Sequence, residues 1–343
     1  MNRRLSKKLP QVCLVIGGAV AALAGIAIAR QYKKVRRVRR QFRVRQLYIP
    51  RPPLPSTLLR MLLRTSQRTQ RKPILPSEVR SCVRYISDGG DSVKVLLLER
   101  TDRPTGSPAF MWIHGGGMIS GGAEADASFL GRLAHELNVL VISVEYRLAP
   151  EHPFPAPLDD CYIALKWLHN HAPTLGVDAA RIAIGGSSAG GGLCAALAQR
   201  AHDVGEVAPA FQILIYPMLD DRTTMKTGHG GRGELLWRPT ENLTAWIAYL
   251  GHRPTTEEDR RYAVPARREN LSGLPPAWIG VGTLDLFYEE DVCYAERLRA
   301  ASVPCELDVV EGAYHGFDGV ATGAPETVAF GNRMIEALRK ALQ

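Results

Sequence analysis

The chain has 343 residues, and its 43 lysines and arginines against 34 aspartates and glutamates give a formal net charge of +9. Residues 1–77 contain 19 basic residues and no acidic one, so residues 78–343 hold 24 basic and 34 acidic residues. A basic segment joined to an acidic body argues against a uniformly basic nucleic-acid-binding domain. The hydrophobic fraction of 45% excludes a disordered chain, and six scattered cysteines exclude a disulfide scaffold.

Residues 12–29 form an apolar segment without a charged side chain, about 27 Å long as a helix and therefore near the minimum for crossing a bilayer. Four basic residues precede it, and nine follow between Arg30 and Arg45. Three interpretations are open: a membrane-anchor helix, a signal peptide cleaved at Ala27-Ile28-Ala29, and a buried or peripheral helix. The flanking cations favour the anchor, because a cationic run directly after a signal peptide opposes export.

We therefore predict a basic N-terminal arm over residues 1–45, with its apolar membrane anchor at residues 12–29. The larger positive cluster follows the anchor, which places the body of a membrane-anchored protein on the cytoplasmic side. Attraction to anionic headgroups explains the cations more simply than nucleic acid does, because few aromatic residues interleave them. Residues 46–77 are predicted to be a proline-rich linker followed by one helix that packs over the body, residues 78–343.

Short apolar runs alternate with helix-length segments along the body. The predicted strands are Val83–Ile86, Val93–Leu98, Ala109–Ile113, Val139–Val144, Ile182–Ile184, Gln212–Ile215, Trp278–Val281 and Cys305–Val310. The predicted helices are Ala127–Leu137, Leu158–His169, Ala189–Ala201, Tyr288–Ala301 and Glu326–Leu342. This alternation predicts an α/β protein with a mostly parallel sheet, helices on both faces and an antiparallel edge formed by the first two strands. Residues 220–265 interrupt the alternation, as a lid or cap over a site does.

Gly186-Ser187-Ser188-Ala189-Gly190 follows a predicted strand and opens a predicted helix. This is the placement of a GxSxG nucleophile elbow, in which small flanking residues let the serine project from a sharp turn. Gly186 and Gly190 would permit the turn, and Ser188 would be the nucleophile. A glycine-rich packing turn is the alternative interpretation.

His114-Gly115-Gly116-Gly117 follows the predicted strand Ala109–Ile113. Glycines let backbone N–H groups approach a ligand oxygen closely, so we predict that Gly115 and Gly116, together with Ala189, form an oxyanion hole. His114 is expected to stabilise the loop and not to carry a proton. The alternatives are a plain tight turn or a phosphate-binding loop, although no GKS or GKT follows.

A serine hydroxyl needs a neighbouring base, and among nine histidines the position of His315 fits best, just beyond the last predicted strand. Asp285 follows the strand Trp278–Val281 and could orient the imidazole. The chain order Ser188, Asp285, His315 is that of α/β-hydrolases. Three competing acids fall inside the next helix, where we expect them to be solvated: Glu289, Glu290 and Asp291.

These residues resemble the hormone-sensitive-lipase-like family of α/β-hydrolases, which includes arylacetamide deacetylase-type enzymes. The resemblance rests on HGGG, on YRLAPEHPFPAPLDD at Tyr146–Asp160, on GGSSAGG, on LDL around Asp285 and on HGF at His315. It implies the α/β-hydrolase fold, with a helical cap built from about Arg51–Pro76 and Asp220–Pro265. At two positions the chain departs from the family, which usually has Asp at Ser187 and Pro at Leu286.

The resemblance implies a serine carboxylic-ester hydrolase that acts on small or medium acyl esters without a metal or cofactor. Two alternatives stay open at this stage. The first is a non-catalytic small-molecule receptor on the same fold, which the presence of His315 disfavours because the plant gibberellin receptors have lost that histidine. The second is an amide or thioester deacylase with the same catalytic residues.

Overall fold

The structure is a computed structural model that describes residues 24–51, 58, 60–62, 64, 65, 73–87 and 90–343. Mostly apolar runs of five to eleven residues form its strands. The strands are β1 (Val79–Ser87), β2 (Ser92–Arg100), β3 (Ser107–Ile113), β4 (Leu140–Glu145), β5 (Val177–Ser187), β6 (Phe211–Ile215), β7 (Ala277–Gly282) and β8 (Cys305–Val310). They form one sheet in the order β1-β2-β4-β3-β5-β6-β7-β8. All eight predicted strands are present, although several extend further than predicted.

The sheet is antiparallel only at one end. Strand β2 pairs antiparallel with both β1 and β4, whereas every pairing from β4 to β8 is parallel. Parallel neighbours need crossover connections, and helices supply them on both faces of the sheet. The predicted fold, a mostly parallel sheet with an antiparallel edge, is therefore confirmed.

The described helices include a first segment over residues 24–37 and isolated helical positions between residues 58 and 65. The others are α1 (Ala127–Leu137), α2 (Ala156–Asn170), α3 (Ala189–Val204), α4 (Pro239–Leu250), α5 (Tyr288–Ala300), α6 (Phe317–Val320) and α7 (Pro325–Leu342). Two of them, α4 and the short α6, were not predicted. Helix α4 lies inside the insertion at residues 220–265, where Pro239 begins it and Gly251, in a left-handed conformation, ends it.

Alternate residues of each central strand face two separate hydrophobic cores. On β3, Phe110 and Trp112 belong to the core that includes α1 and α7. Ala109, Met111 and Ile113 face the opposite core, which includes α2, α3 and α5. This period of two follows from the pleat of a strand. Because β3 to β8 run parallel, their carboxyl ends lie along one edge of the sheet, between the two helical layers.

The basic segment at residues 30–45 is packed onto the body in the structure. Val35, Val38 and Phe42 are fully buried in the core that includes α1 and α7. The N–H of Arg39 donates to the carbonyl of Gly312 at 3.1 Å, and the Tyr314 hydroxyl donates to the carbonyl of Phe42 at 3.1 Å. The cations on the same segment, apart from the half-buried Lys34, lie exposed at the surface. The division at residue 45 between arm and linker stays a prediction, but Val35, Val38 and Phe42 before it belong to the core.

Most of the predicted membrane anchor, residues 12–23, lies outside the described residues. Within the described ranges, no helix combines the length and the apolar character needed to cross a membrane. The anchor therefore stays a prediction.

The insertion and the helical positions near residue 64 both contact the body at the carboxyl edge of the sheet. Arg64 donates to the carbonyls of Ile119 and Ala149 and forms a two-bond ion pair with Glu151. From the insertion, the N–H of Gly233 donates to the carbonyl of Leu284, next to Asp285. These contacts place both segments of the expected cap beside the candidate site.

Candidate active site

Ser188 stands between the end of β5 and the start of α3 with φ 56° and ψ −120°. A positive φ is costly for a residue with a side chain, so the surrounding structure must hold it. Its carbonyl accepts hydrogen bonds from the N–H groups of Gly192 and Met218. A Cβ on Gly190 would lie 2.0 Å from the carbonyl oxygen of Ile113, so this neighbour must be glycine. The geometry is that of the predicted elbow, with the serine projecting from a strained turn.

His315 links Ser188 to Asp285. Its Nε2 lies 2.9 Å from Ser188 Oγ, and its Nδ1 lies 2.9 Å from Asp285 Oδ2. An ionised carboxylate can only accept, so Nδ1 carries the proton and Nε2 is free to accept from the serine hydroxyl. Asp285 is fully buried, and its other oxygen accepts from the N–H of Phe287 at 2.9 Å. The structure therefore brings the three predicted residues together from the ends of β5, β7 and β8.

The glycine loop after β3 lies directly against the elbow. A Cβ on Gly115 would meet Ser188 Cβ at 3.4 Å, and Gly116 has φ 114°, a conformation that favours glycine. Within the described part of the chain, the N–H groups of Gly115, Gly116 and Ala189 donate to no protein acceptor. Three N–H groups close to the serine are thus available to an oxygen of a bound molecule.

His114 is buried beneath this loop. Its ring stacks on Tyr146 with 4.1 Å between centroids, and its Nδ1 lies 2.8 Å from the Gly115 carbonyl oxygen. Burial lowers the pKa of His114 to about 4, so the ring is neutral at physiological pH. The Tyr146 hydroxyl donates to the His114 carbonyl at 3.0 Å. These contacts are those of a residue that supports the loop.

Gly117, the last residue of the motif, has φ 65° and marks where the insertion covers the loop. A Cβ there would lie 2.5 Å from the ring of Trp237. Leu286, which stands where the family usually has proline, faces the insertion too, since a Cβ on Gly233 would lie 2.8 Å from its Cδ1. The insertion therefore closes over both the glycine loop and the segment that carries Asp285.

Three aromatic rings surround the imidazole of His315. Tyr216, Phe287 and Trp237 lie with their ring centroids 4.7, 5.2 and 6.1 Å from it. Sequence reasoning missed Tyr216 and Phe287 as site residues and noted Trp237 only as part of the insertion. No spacing rule connects these positions to His315, because they come from three separate segments of the chain.

The expectation that all three acids of α5 are solvated is wrong for two of them. Glu289 is exposed and pairs with Lys226 at 2.7 Å, but Glu290 and Asp291 are buried. Glu290 accepts from the N–H of Leu219 at 2.8 Å and so holds the chain where the insertion begins. Burial raises the pKa of both buried acids well above the usual range. Backbone N–H groups compensate the buried carboxylate of Glu290, whereas Asp291 is buried without a hydrogen-bond partner among the described residues.

A metal site was not expected, and the described residues hold no group of three or more His, Cys, Asp or Glu side chains arranged to bind a metal ion. The chemistry available at the site is that of a serine, an imidazole, a carboxylate and unpaired backbone N–H groups. Together these suit nucleophilic attack on a carbonyl carbon.

The fold and the site are those of an α/β-hydrolase, and comparison with known sequences supports this class. Residues 110–319 match the profile of the alpha/beta hydrolase fold family, and the chain belongs to that family, as a hormone-sensitive-lipase-like member. The narrower resemblance to arylacetamide deacetylase-type enzymes stays a prediction.

Several individual relatives and solved structures are named as esterases. Esterase LipI of Mycobacterium tuberculosis is 34% identical over 69% of this chain and 73% of its own. Ethyl acetate hydrolase of Pseudomonas putida is 32% identical over 66% of this chain and 70% of its own. The solved structure of a bacterial heroin esterase is 36% identical, covers 84% of this chain and 91% of its own, and superposes with a TM-score of 0.75. The chain is accordingly a carboxylesterase-like hydrolase.

Proposed function

We propose that the protein is a serine esterase that hydrolyses small or medium acyl esters through an acyl-enzyme. The observation that carries the proposal is the position of His315, whose two ring nitrogens each lie 2.9 Å from a partner, Ser188 on one side and Asp285 on the other. This arrangement matches the geometry by which a catalytic triad is recognised.

In the proposed mechanism, His315 Nε2 takes the proton of the Ser188 hydroxyl while Oγ attacks the acyl carbon. The buried Asp285 carboxylate holds the proton on Nδ1 and stabilises the imidazolium that forms. The N–H groups of Gly115, Gly116 and Ala189 bind the negative oxygen, and loss of one such donor typically costs about 3 kcal/mol. His315 then gives its proton to the leaving alcohol. Water, activated by the same imidazole, attacks the acyl carbon and releases the acid and free Ser188.

The small or medium acyl group is the finer part of the proposal. It is supported by the similarity to an ethyl acetate hydrolase, whose name describes an acetyl ester substrate. The coverage of the site by the insertion supports it too, because Ser188 and His315 are only 7% and 8% exposed. A panel of p-nitrophenyl esters with acyl chains of two to sixteen carbons measures the preference. We expect kcat/KM to peak at short chains, and a maximum at twelve carbons or more would contradict the proposal.

Ser188→Ala tests the mechanism. We expect p-nitrophenyl ester hydrolysis to fall by a factor of at least about 10³, because no other group replaces the nucleophile. Ser143→Ala is the matched control, since Ser143 is another fully buried serine but lies within strand β4. Unchanged turnover by Ser188→Ala, with Ser143→Ala also unchanged, would refute the serine mechanism.

A fluorophosphonate probe separates the esterase from a non-catalytic receptor on the same fold. We expect covalent labelling at Ser188, because the probe reacts only with an activated serine. A folded protein that stays unlabelled would favour the receptor. Parallel assays with anilide and thioester analogues of the best ester measure amide and thioester deacylation.

We also propose that residues 12–45 attach the protein to an anionic membrane surface, with the hydrolase body on the cytoplasmic side. Support comes from the exposed apolar and basic side chains in the described part of this segment. Ile26 and Ile28 are about half exposed, at 49% and 57%. Seven exposed cations have no carboxylate partner among the described residues: Arg30, Lys33, Arg36, Arg39, Arg40, Arg43 and Arg45. Exposed apolar side chains beside unpaired cations suit a layer of anionic headgroups.

Vesicle flotation tests this attachment. We expect the full chain to float with vesicles of phosphatidylserine and phosphatidylcholine. Changing Arg36, Arg39 and Arg40 to Gln should weaken binding roughly 100-fold at low salt, at about 1 kcal/mol per cation. A full chain that stays with the soluble fraction would contradict the proposal. Protease added to intact cells should leave the body uncut if it faces the cytoplasm.

A further inference from the structure

Tyr216, the residue after β6, has an unusual backbone conformation next to the site. Its φ is 34°, a positive value that is costly for a residue with a side chain. The chain holds it there with a hydrogen bond from its N–H to the carbonyl of Gly280 at 2.6 Å. Such strained residues persist where neighbouring structure over-determines them, and they concentrate at functional sites. The strained backbone therefore points to a functional role for the Tyr216 side chain.

The side chain of Tyr216 makes two contacts with the segment that carries His315. Its ring meets the His315 ring at 4.7 Å between centroids, with 61° between the planes. Its hydroxyl donates to Asp318 Oδ1 at 2.6 Å. Asp318 lies three residues after His315, in the short helix α6. The tyrosine is thus held at its tip by the same segment whose imidazole its ring contacts.

The hydrogen bond between Tyr216 and Asp318 lies beside a cavity. Tyr216 and Asp318 both line a cavity of about 320 Å³, which also borders Ser187, Ile215 and Asp126. Side chains that face a cavity lack van der Waals contacts on that side. On its cavity side the Tyr216 ring lacks packing contacts, and the hydrogen bond to Asp318 adds a restraint at its tip.

The protonation of Tyr216 suits this role. Burial raises the pKa of its hydroxyl well above the usual range, and the neighbouring Asp318 carboxyl raises it further. The phenol therefore keeps its proton and remains a donor at physiological pH.

We propose that Tyr216 and Asp318 form a positioning pair that keeps the His315 ring in the orientation joining Ser188 to Asp285. The inference rests on the proposed esterase function. In this proposal the pair acts only through the imidazole. Its contribution belongs to the chemical step, because His315 moves protons and does not bind the substrate in the proposed mechanism.

Tyr216→Phe is the direct test, since it keeps the ring and removes only the hydroxyl. We expect kcat for a p-nitrophenyl ester to fall about tenfold while KM stays within about twofold, because small misplacement of a catalytic group slows the chemistry. Asp318→Ala should have the same effect. Asp318→Asn keeps an oxygen that accepts from the tyrosine and should restore most of kcat.

Tyr314→Phe is the matched control. Tyr314 is adjacent to His315 and equally buried, but its hydroxyl donates to the carbonyl of Phe42 on the N-terminal segment. We expect this variant to lose stability and keep its kcat. If both tyrosine variants lose kcat equally, or if only KM changes, the pair has a general structural role and the proposal is overturned.

Two further outcomes complete the test. If Tyr216→Phe fails to fold, the comparison of Asp318→Ala with Asp318→Asn decides, and equal kcat values for these two overturn the proposal. Ser188→Ala is assayed alongside. An active Ser188→Ala would refute the esterase mechanism itself, whereas an inactive Ser188→Ala with fully active Tyr216→Phe would refute the positioning pair alone.

Discussion

Phe42→Ala tests whether the basic N-terminal segment is part of the folded hydrolase. Phe42 is fully buried, and its ring packs edge-on against Phe317 at 5.1 Å between centroids. Truncation of a buried phenylalanine to alanine removes its burial and leaves a cavity, at a cost of about 3–5 kcal/mol. A whole domain is stable by only about 5–15 kcal/mol. At about 2 °C per kcal/mol for a large domain, Tm should fall by about 6–10 °C.

Phe317 follows His315 by two residues, so this substitution should also loosen the segment that carries the imidazole. The assay is thermal and urea unfolding followed by tryptophan fluorescence, together with ester hydrolysis. Ile49→Ala, shortly after the segment, is the control, because Ile49 is 64% exposed and its truncation should change stability by less than about 0.5 kcal/mol. If Phe42→Ala is as stable as Ile49→Ala, the segment does not pack on the body in solution and the reasoning fails.

Three further substitutions test the site and its supports. Gly190→Ala should abolish activity and lower Tm, because its Cβ would lie 2.0 Å from a carbonyl oxygen. Gly319→Ala is the control and should be tolerated, because its Cβ would enter open space. Equal tolerance of the two variants would contradict the elbow geometry. Asp291 has no hydrogen-bond partner for either carboxylate oxygen among the described residues, and burial raises its pKa. Its pKa in the folded state exceeds the unfolded value of about 4, so the free energy of unfolding falls as pH rises between these two values. Asp291→Asn should therefore raise Tm at pH 8, and its Tm should fall less with rising pH than that of the unsubstituted protein. Arg267→Met should cost about 3–5 kcal/mol in urea unfolding, because it leaves the fully buried Asp221 without its 2.9 Å ion-pair partner, and the double variant with Asp221→Leu should recover much of the loss.

Local pattern accounts for what could be predicted about the fold and the candidate site. The strands and most helices were predictable because an apolar run bounded by turn residues has few other ways to bury itself. The elbow at Ser188 and the glycine loop at His114–Gly117 were predictable because a sharp turn and a close backbone approach admit few residue types. The order of Ser188, Asp285 and His315, each after a strand, was enough to expect them at one sheet edge, and the structure places them there.

The sequence by itself therefore determined the class of fold, the candidate nucleophile with its neighbours, and the uneven distribution of charge between residues 1–77 and the rest of the chain. The tertiary structure decided which distant residues complete the site. Phe42 packs on Phe317, and Tyr216, just after β6, donates a hydrogen bond to Asp318 in helix α6. It also decided that Val35, Val38 and Phe42 of the basic segment are core while most of its cations remain outside. Such pairings have no period or spacing in the sequence, because they depend on how separate elements meet in space and which side chains fill the gaps between them.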